Sequence, residues 1–221
     1  MAKNIVVIGG GFIGLEVAAT ARKVEKAVTV IEGQSRLMAR AVSPLLSEFF
    51  LNLHRSHGAA VLLDAAVEEV QPDSVILKDG RRVAADVVVA GIGVIPNVEL
   101  AREAGLQIGN GILVDEHLRT SDPDIFAIGD CADHPNRFAG GRTRLESVQN
   151  AVDQAKCVAK AIAGEPTPYR DAPWFWTDQY DVRFQMAGLG AGHDRHVVRG
   201  KIDEHKFSVF YFKEGRLLAV D

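Results

Sequence analysis

Cysteine is scarce in this chain. Cys131 and Cys157 are the only two in 221 residues. They form no CxxC pair and no disulfide framework, which excludes a stapled secreted scaffold and fits a reducing cytoplasm. Charge of one sign is also scarce. The net charge is −4 and no basic run appears, which argues against a nucleic-acid partner. Long apolar runs are missing too, so no span of a membrane is expected. The first residues lack the basic, then apolar, then small pattern of a signal peptide. The seven histidines are scattered. His193 and His196 come nearest to a ligand spacing, yet no neighbouring cysteine or acid completes a set, and no metal is expected. Glycine and apolar residues, by contrast, are plentiful: 21 glycines and 47% hydrophobic content suit a globular core in one or two domains.

The glycines are most informative at the front. An apolar strand, Ile5-Val6-Val7-Ile8, runs into Gly9-Gly10-Gly11-Phe12-Ile13-Gly14 and continues as a helix from Leu15. A second strand, Val28-Thr29-Val30-Ile31, ends at Glu32. This is a βαβ unit with a GxGxxG turn. Gly9 permits the tight turn, Gly11 lets the backbone approach a pyrophosphate, and Gly14 lets the helix pack on the sheet. The helix N-terminus offers N–H groups and partial positive charge to phosphates. Glu32, roughly 20 residues on, suits a ribose 2′-OH and would repel a 2′-phosphate, favouring NAD(H) over NADP(H). Arg36 and Arg40 follow within reach of the adenosine and keep NADP(H) open. A structural glycine turn is the bland alternative.

Further along, Ser43-Pro44 is an N-cap followed by proline at the first helical position, predicting a helix that stops near Gly58. Val61-Leu62-Leu63 reads as the third parallel strand. Val67–Val70, Ser74–Leu77 and Arg81–Val83 read as short strands, the last two forming a hairpin around Lys78-Asp79-Gly80. Asp86–Ala90 reads as a buried parallel strand. It ends in Gly91-Ile92-Gly93, a loop placed to face the same dinucleotide. Asp124–Asp130 reads as another buried strand ending in an acid. A long helix is expected from about Glu146 to Ala163. Beyond Pro166, Pro168 and Pro173 the pattern alternates, as in antiparallel strands. The expected architecture is α/β: a Rossmann-like NAD domain with a three-layer sheet (1–115), part of a second dinucleotide domain (116–168) and part of a C-terminal α+β domain (169–221). The strand at 124–130 has no sheet to join, so a piece of a larger protein is expected.

These motifs resemble the pyridine nucleotide–disulfide oxidoreductases, in which an NAD domain is inserted into an FAD domain. The resemblance covers essentially the whole chain. Gly9–Glu16 resembles the second, NAD fingerprint of that family, and Thr120-Ser121-Asp122-Pro123-Asp124-Ile125-Phe126-Ala127-Ile128-Gly129-Asp130 resembles its second FAD motif. Pro173-Trp174-Phe175-Trp176-Thr177-Asp178-Gln179 resembles the ferredoxin and rubredoxin reductases that serve oxygenases and cytochromes P450. The family's first FAD fingerprint has no counterpart here.

The resemblance implies hydride transfer from NADH to FAD, then single-electron transfer to a ferredoxin or rubredoxin. It implies NAD(H) contacts at Gly9, Gly11, Phe12, Ile13, Gly14, Glu32, Arg36, Arg40, Ile92 and Gly93, and orientation of the nicotinamide by Glu16. Otherwise Glu16 is a first-turn acid stabilised by the helix dipole. For FAD it implies Asp130, Glu146, Val148 and Trp176, with helix capping and aromatic core packing as the plainer roles. Arg142, Arg144 and Arg183 read first as a solvated charged face, and only second as a landing site for an acidic ferredoxin. Competing functions are a monodehydroascorbate or disulfide reductase, and an NAD(H)-binding fragment without turnover. Oligomeric state stays open.

Overall fold

The computed structural model describes residues 2–221. They divide into two compact units. One holds residues 2–93 with Thr177–Phe184 and Ile202–His205, the other Val94–Trp176, Gln185–Lys201 and Lys206–Asp221.

The first unit is built on a parallel sheet. Its elements are β1 (Asn4–Ile8), α1 (Phe12–Lys23), β2 (Ala27–Ile31), α2 (Pro44–Ser56), β3 (Ala60–Leu62), β4 (Val67–Gln71), β5 (Ser74–Leu77), β6 (Arg82–Ala84) and β7 (Val87–Ala90). The sheet order is β3-β2-β1-β7, and all its pairings are parallel. A small antiparallel sheet, β4-β5-β6, joins Val75, Leu77 and Ala85 to Val6 and Ile31 in one buried cluster. α1 turns Leu15, Ala18 and Ala19 inward and ends on Arg22 and Lys23, whose charge suits a helix C-terminus. α2 starts as the sequence predicts: Pro44 is in the first turn and the Ser43 side chain accepts a hydrogen bond from the Leu46 N–H. Its inward stripe is Leu46, Phe49, Phe50, Leu53 and, unexpectedly, His54. Phe50 meets Phe184 edge to face at 5.3 Å.

One expectation here is overturned. The continuous apolar run Val87–Ala90 after Asp86 predicts a buried strand. β7 is the edge of its sheet, and Val87 is 41% exposed. A strand paired on one side only keeps part of its apolar surface open.

The second unit contains α3 (Glu99–Glu103), β8 (Ile112–Leu113), β9 (Ala132–Asn136), β10 (Gly141–Thr143) and α4 (Val148–Ile162). The three strands form a sheet in the order β10-β9-β8. Its core gathers Val114, Leu118, Ala127, Ala132, Cys157, Val158 and Tyr169. The expected strand at 124–130 does not form. Only an isolated bridge, Arg119 to Phe126, occurs there. The Thr120 hydroxyl bonds the carbonyls of Asp122 and Ile125, and the Asp124 N–H bonds the Asp122 side chain. These local bonds make a turn in place of a ladder. Ile125 and Ile128 are correspondingly 38% and 36% exposed. A short 3₁₀ turn, Gly129–Cys131, follows.

The alternation predicts antiparallel strands at Val182–Ala187, Arg195–Val198, Lys206–Phe212 and Leu217–Val220, and these form, joined by a strand at Trp174–Gln179 that the alternation does not predict. The C-terminal sheet comprises β11 (Trp174–Gln179), β12 (Val182–Gly188), β13 (Arg195–Lys201), β14 (Lys206–Lys213) and β15 (Arg216–Val220), in the order β11-β12-β15-β14-β13. No helix among the described residues is long and apolar enough to cross a membrane.

Candidate functional site: a glycine cradle and an acidic pair

The carboxyl ends of β1, β2 and β7 converge on the glycine turn. The Gly9 N–H bonds the Ile31 carbonyl at 2.8 Å, and the Gly91 N–H bonds the Ile8 carbonyl at 2.7 Å. The backbones here are too close for side chains. A Cβ on Gly9, whose φ is +105°, would lie 2.3 Å from the Gly91 carbonyl oxygen. One on Gly14 would lie 2.2 Å from the Gly9 oxygen. Gly11 is different. A Cβ there would meet nothing within 4 Å, and its φ of −83° is open to any residue. The fold makes no demand for glycine at 11, and the space in front of it is what a pyrophosphate at the start of α1 requires. Ile13 and Ile92 flank this mouth, 65% and 69% exposed. Gly93, with φ +114°, likewise faces open space.

Glu32 directly follows β2, with both carboxylate oxygens aimed at backbone. Oε2 accepts from the Gly10 N–H at 2.7 Å and Oε1 from the Gln34 N–H at 2.8 Å. Each oxygen has lone pairs left for a ribose hydroxyl. Arg36 is committed locally: its guanidinium donates to the carbonyls of Val42 and Ala39 and to the Ser47 hydroxyl. Arg40 is exposed.

Glu16 corrects one sequence reading. α1 begins at Phe12 and has no acid in its first turn, so Glu16 stands a turn further in and gains little from the dipole. Instead its Oε1 accepts a hydrogen bond from the Thr177 hydroxyl. Thr177, fully buried, in turn accepts from the Gln179 amide at 3.3 Å. Gln179 Oε1 faces His54 Nε2 at 2.8 Å, and the Tyr180 hydroxyl lies 3.2 Å from His54 Nδ1. Burial pushes the His54 pKa down and favours the neutral ring. Sequence reasoning missed Thr177, Gln179 and His54. The only available signal was the alternation in β11, where two polar residues share the inward face.

In the second unit, Arg144 brings two of the expected FAD residues together. Its Nη1 donates to the Asp130 carbonyl at 2.7 Å and pairs with Glu146 Oε1 at 2.6 Å. Gly129, at φ +74°, donates its N–H to Gln154 Oε1 at 2.7 Å, within the buried face of α4. Val148 is 64% exposed at the start of that helix, so a glycine turn and a Ser147-capped helix N-terminus stand side by side. That combination fits a bound anionic group. Trp176 stacks on Trp174 at 5.2 Å. Arg142 is turned to structure: it pairs with the buried Asp133 and donates to the Val114 carbonyl. In the first unit, Arg183 pairs with Asp178 on the surface.

Residues 1–155 match the family described as pyridine nucleotide-disulphide oxidoreductase, and residues 174–221 match the reductase C-terminal family. The chain belongs to the pyridine nucleotide-disulphide oxidoreductase family. Among family members, rhodocoxin reductase of Rhodococcus erythropolis is 52% identical over 99% of this chain and 52% of its own length. The crystal structure of the ferredoxin reductase for the CYP199A2 system from Rhodopseudomonas palustris superposes with a TM-score of 0.96 at 47% identity, covering 99% of this chain and 55% of that one. The covalent putidaredoxin reductase–putidaredoxin complex gives 0.94 at 45% identity, over 99% of this chain and 54% of that one. The chain thus spans about half the length of the relatives it matches.

Proposed function

We propose that this chain is the NAD(H)-binding part of an NADH-dependent ferredoxin or rubredoxin reductase, organised as residues 1–115 for NAD(H), 116–168 for FAD and 169–221 as a C-terminal domain. The observation that carries the reading is the contrast within the glycine turn. Gly9 and Gly14 are glycines because the fold leaves no room for a side chain, whereas the fold leaves the space in front of Gly11 clear, as a pyrophosphate at the start of α1 requires. The reductase C-terminal match and the relatives named above supply the electron-transfer half of the reading.

In the bound complex, Glu32 holds the adenosine ribose over β2, the N–H groups opening α1 hold the pyrophosphate over β1, and Ile92 and Gly93 line the nicotinamide side over β7. Gly14 abuts Gly91 at this same end, and Glu16, the one acid in α1, orients the carboxamide. Gly129, Asp130, Glu146, Val148 and Trp176 are the residues that would hold FAD. When bound, NADH would supply a hydride, and FAD would supply the means to pass its two electrons on singly to an iron–sulfur protein while the proton is released to solvent. The two free thiols, Cys131 and Cys157, support a cytoplasmic setting.

Titration of the chain with NADH and with ADP-ribose tests the pocket, and absence of binding by either ligand overturns it. In the longer protein, NADH must bleach the flavin band and then reduce an iron–sulfur ferredoxin. Bleaching without transfer would refute the reductase assignment.

A further inference from the structure

The hydrogen bonds behind Glu16 run in one direction, and the direction follows from the chemistry of each group. A carboxylate oxygen accepts only, so the Thr177 hydroxyl donates its hydrogen bond to Glu16 Oε1. Its oxygen is then an acceptor for the Gln179 amide, which turns the Gln179 NH₂ towards Thr177. Gln179 Oε1 therefore faces His54, and His54 Nε2 must carry hydrogen. Nδ1 is left as the acceptor, and the Tyr180 hydroxyl donates to it. Five side chains form one relay, every donor pointing towards Glu16. Thr177, Gln179 and His54 are all about fully buried, so no water competes for these bonds and each orientation is costly to reverse. Glu16 Oε2 has no protein hydrogen bond among the described residues.

We propose that Thr177 is a positioning residue for Glu16. It fixes the carboxylate so that Oε2 is presented to the nicotinamide carboxamide, and the Gln179–His54–Tyr180 relay keeps the Thr177 hydroxyl in the donor orientation that the carboxylate requires. This rests on the reading that NAD(H) lies across the glycine turn. A free Glu16 would sample several rotamers, and binding would have to restrain it. A Glu16 already held is restrained before the ligand arrives. The relay thereby acts on the nicotinamide half of the ligand and on no other part.

NADH and ADP-ribose separate this role from a general structural one, because ADP-ribose lacks the nicotinamide. Both are titrated against the 221-residue chain and its variants. Thr177→Val keeps side-chain shape and strand preference but removes the hydroxyl. It should raise the NADH dissociation constant about tenfold and leave ADP-ribose unchanged. Thr177→Ser, which retains the donor, should stay within about twofold of the parent. Gln179→Leu should reproduce the selective loss at about threefold, since the hydroxyl loses its guide but not its proton. Thr177→Val in a Glu16→Gln background should add little. If Thr177→Val weakens both ligands equally, or neither, or if serine fails to restore NADH binding, the positioning role is overturned while the pocket stands. If the parent chain binds neither ligand, the pocket itself is overturned and the positioning role with it.

Discussion

Glu32 reaches back over the glycine turn to accept a hydrogen bond from the Gly10 N–H at 2.7 Å. The residue expected to select the ribose is thus also a brace for the loop that holds the phosphates. Selectivity and loop geometry are joined in one side chain. Replacing Glu32 should therefore change two measurements at once.

Glu32→Arg should lower NADH affinity and shift preference towards NADPH, because a cation replaces an anion where a 2′-phosphate would lie. It should also cost about 1–2 kcal/mol of stability, since the N–H groups of Gly10 and Gln34 lose their acceptors. Parallel cofactor titrations and urea unfolding check both. A parent chain that already prefers NADPH would show the ribose assignment to be wrong.

Gly11 and Gly14 should respond in opposite ways to a side chain. Gly11→Val should abolish NADH binding and cost only about 1 kcal/mol, the loss of a favourable N-cap residue. Gly14→Ala should cost about 3 kcal/mol, because the new methyl group meets the Gly9 carbonyl oxygen. Urea midpoints with NADH titrations distinguish them. Unchanged NADH affinity in Gly11→Val counts against the pocket.

His54 should make the fold acid-sensitive. Burial holds its folded-state pKa below the unfolded value of about 6.5. The unfolded chain then binds more protons in the window between the two values. Its contribution to stability is fully present above about pH 6.5 and is lost as pH falls through the folded pKa. His134, also buried, works in the same direction. Asp221, pushed up to about 6 by burial, works the other way: its contribution is present at low pH and lost as pH rises through about 6. His54→Asn should flatten the difference in unfolding free energy between pH 7.5 and pH 5.5. An unchanged difference would show that His54 carries none of it.

Gln154 should be a keystone of the second unit. Its side chain accepts the Gly129 N–H and its amide lies 3.3 Å from His134 Nδ1. Gln154→Leu should orphan a buried N–H and cost about 1–3 kcal/mol. Faster amide exchange at Gly129 is the local readout, and unaltered exchange would contradict it.

The first unit was legible in sequence wherever local chemistry decides structure. The glycine turn, the Ser43-Pro44 cap and the alternating C-terminal strands each carry their own signal. The failures have two causes, a competing local turn and partners remote in sequence. Asp124–Ile128 is apolar enough for a buried strand, but no strand lies beside it and the Thr120 turn takes its backbone bonds. In the site, Glu16 could be read from the helix that bears it. Thr177, Gln179 and His54 could not, since their role exists only once β11 and α2 meet around them.

Gly9, Gly14 and Gly91 come from three different segments, yet each leaves too little room for a side chain against the backbone of another. Energetically they are a single position. The first methyl group placed on any of the three must push the same backbones apart, and a second would enter a gap already opened. Double substitutions among them should be strongly non-additive, each pair costing well below the sum of its members. Sequence change at this junction is then limited by the tightest of the three contacts, and relaxing that one alone loosens the constraint on the other two.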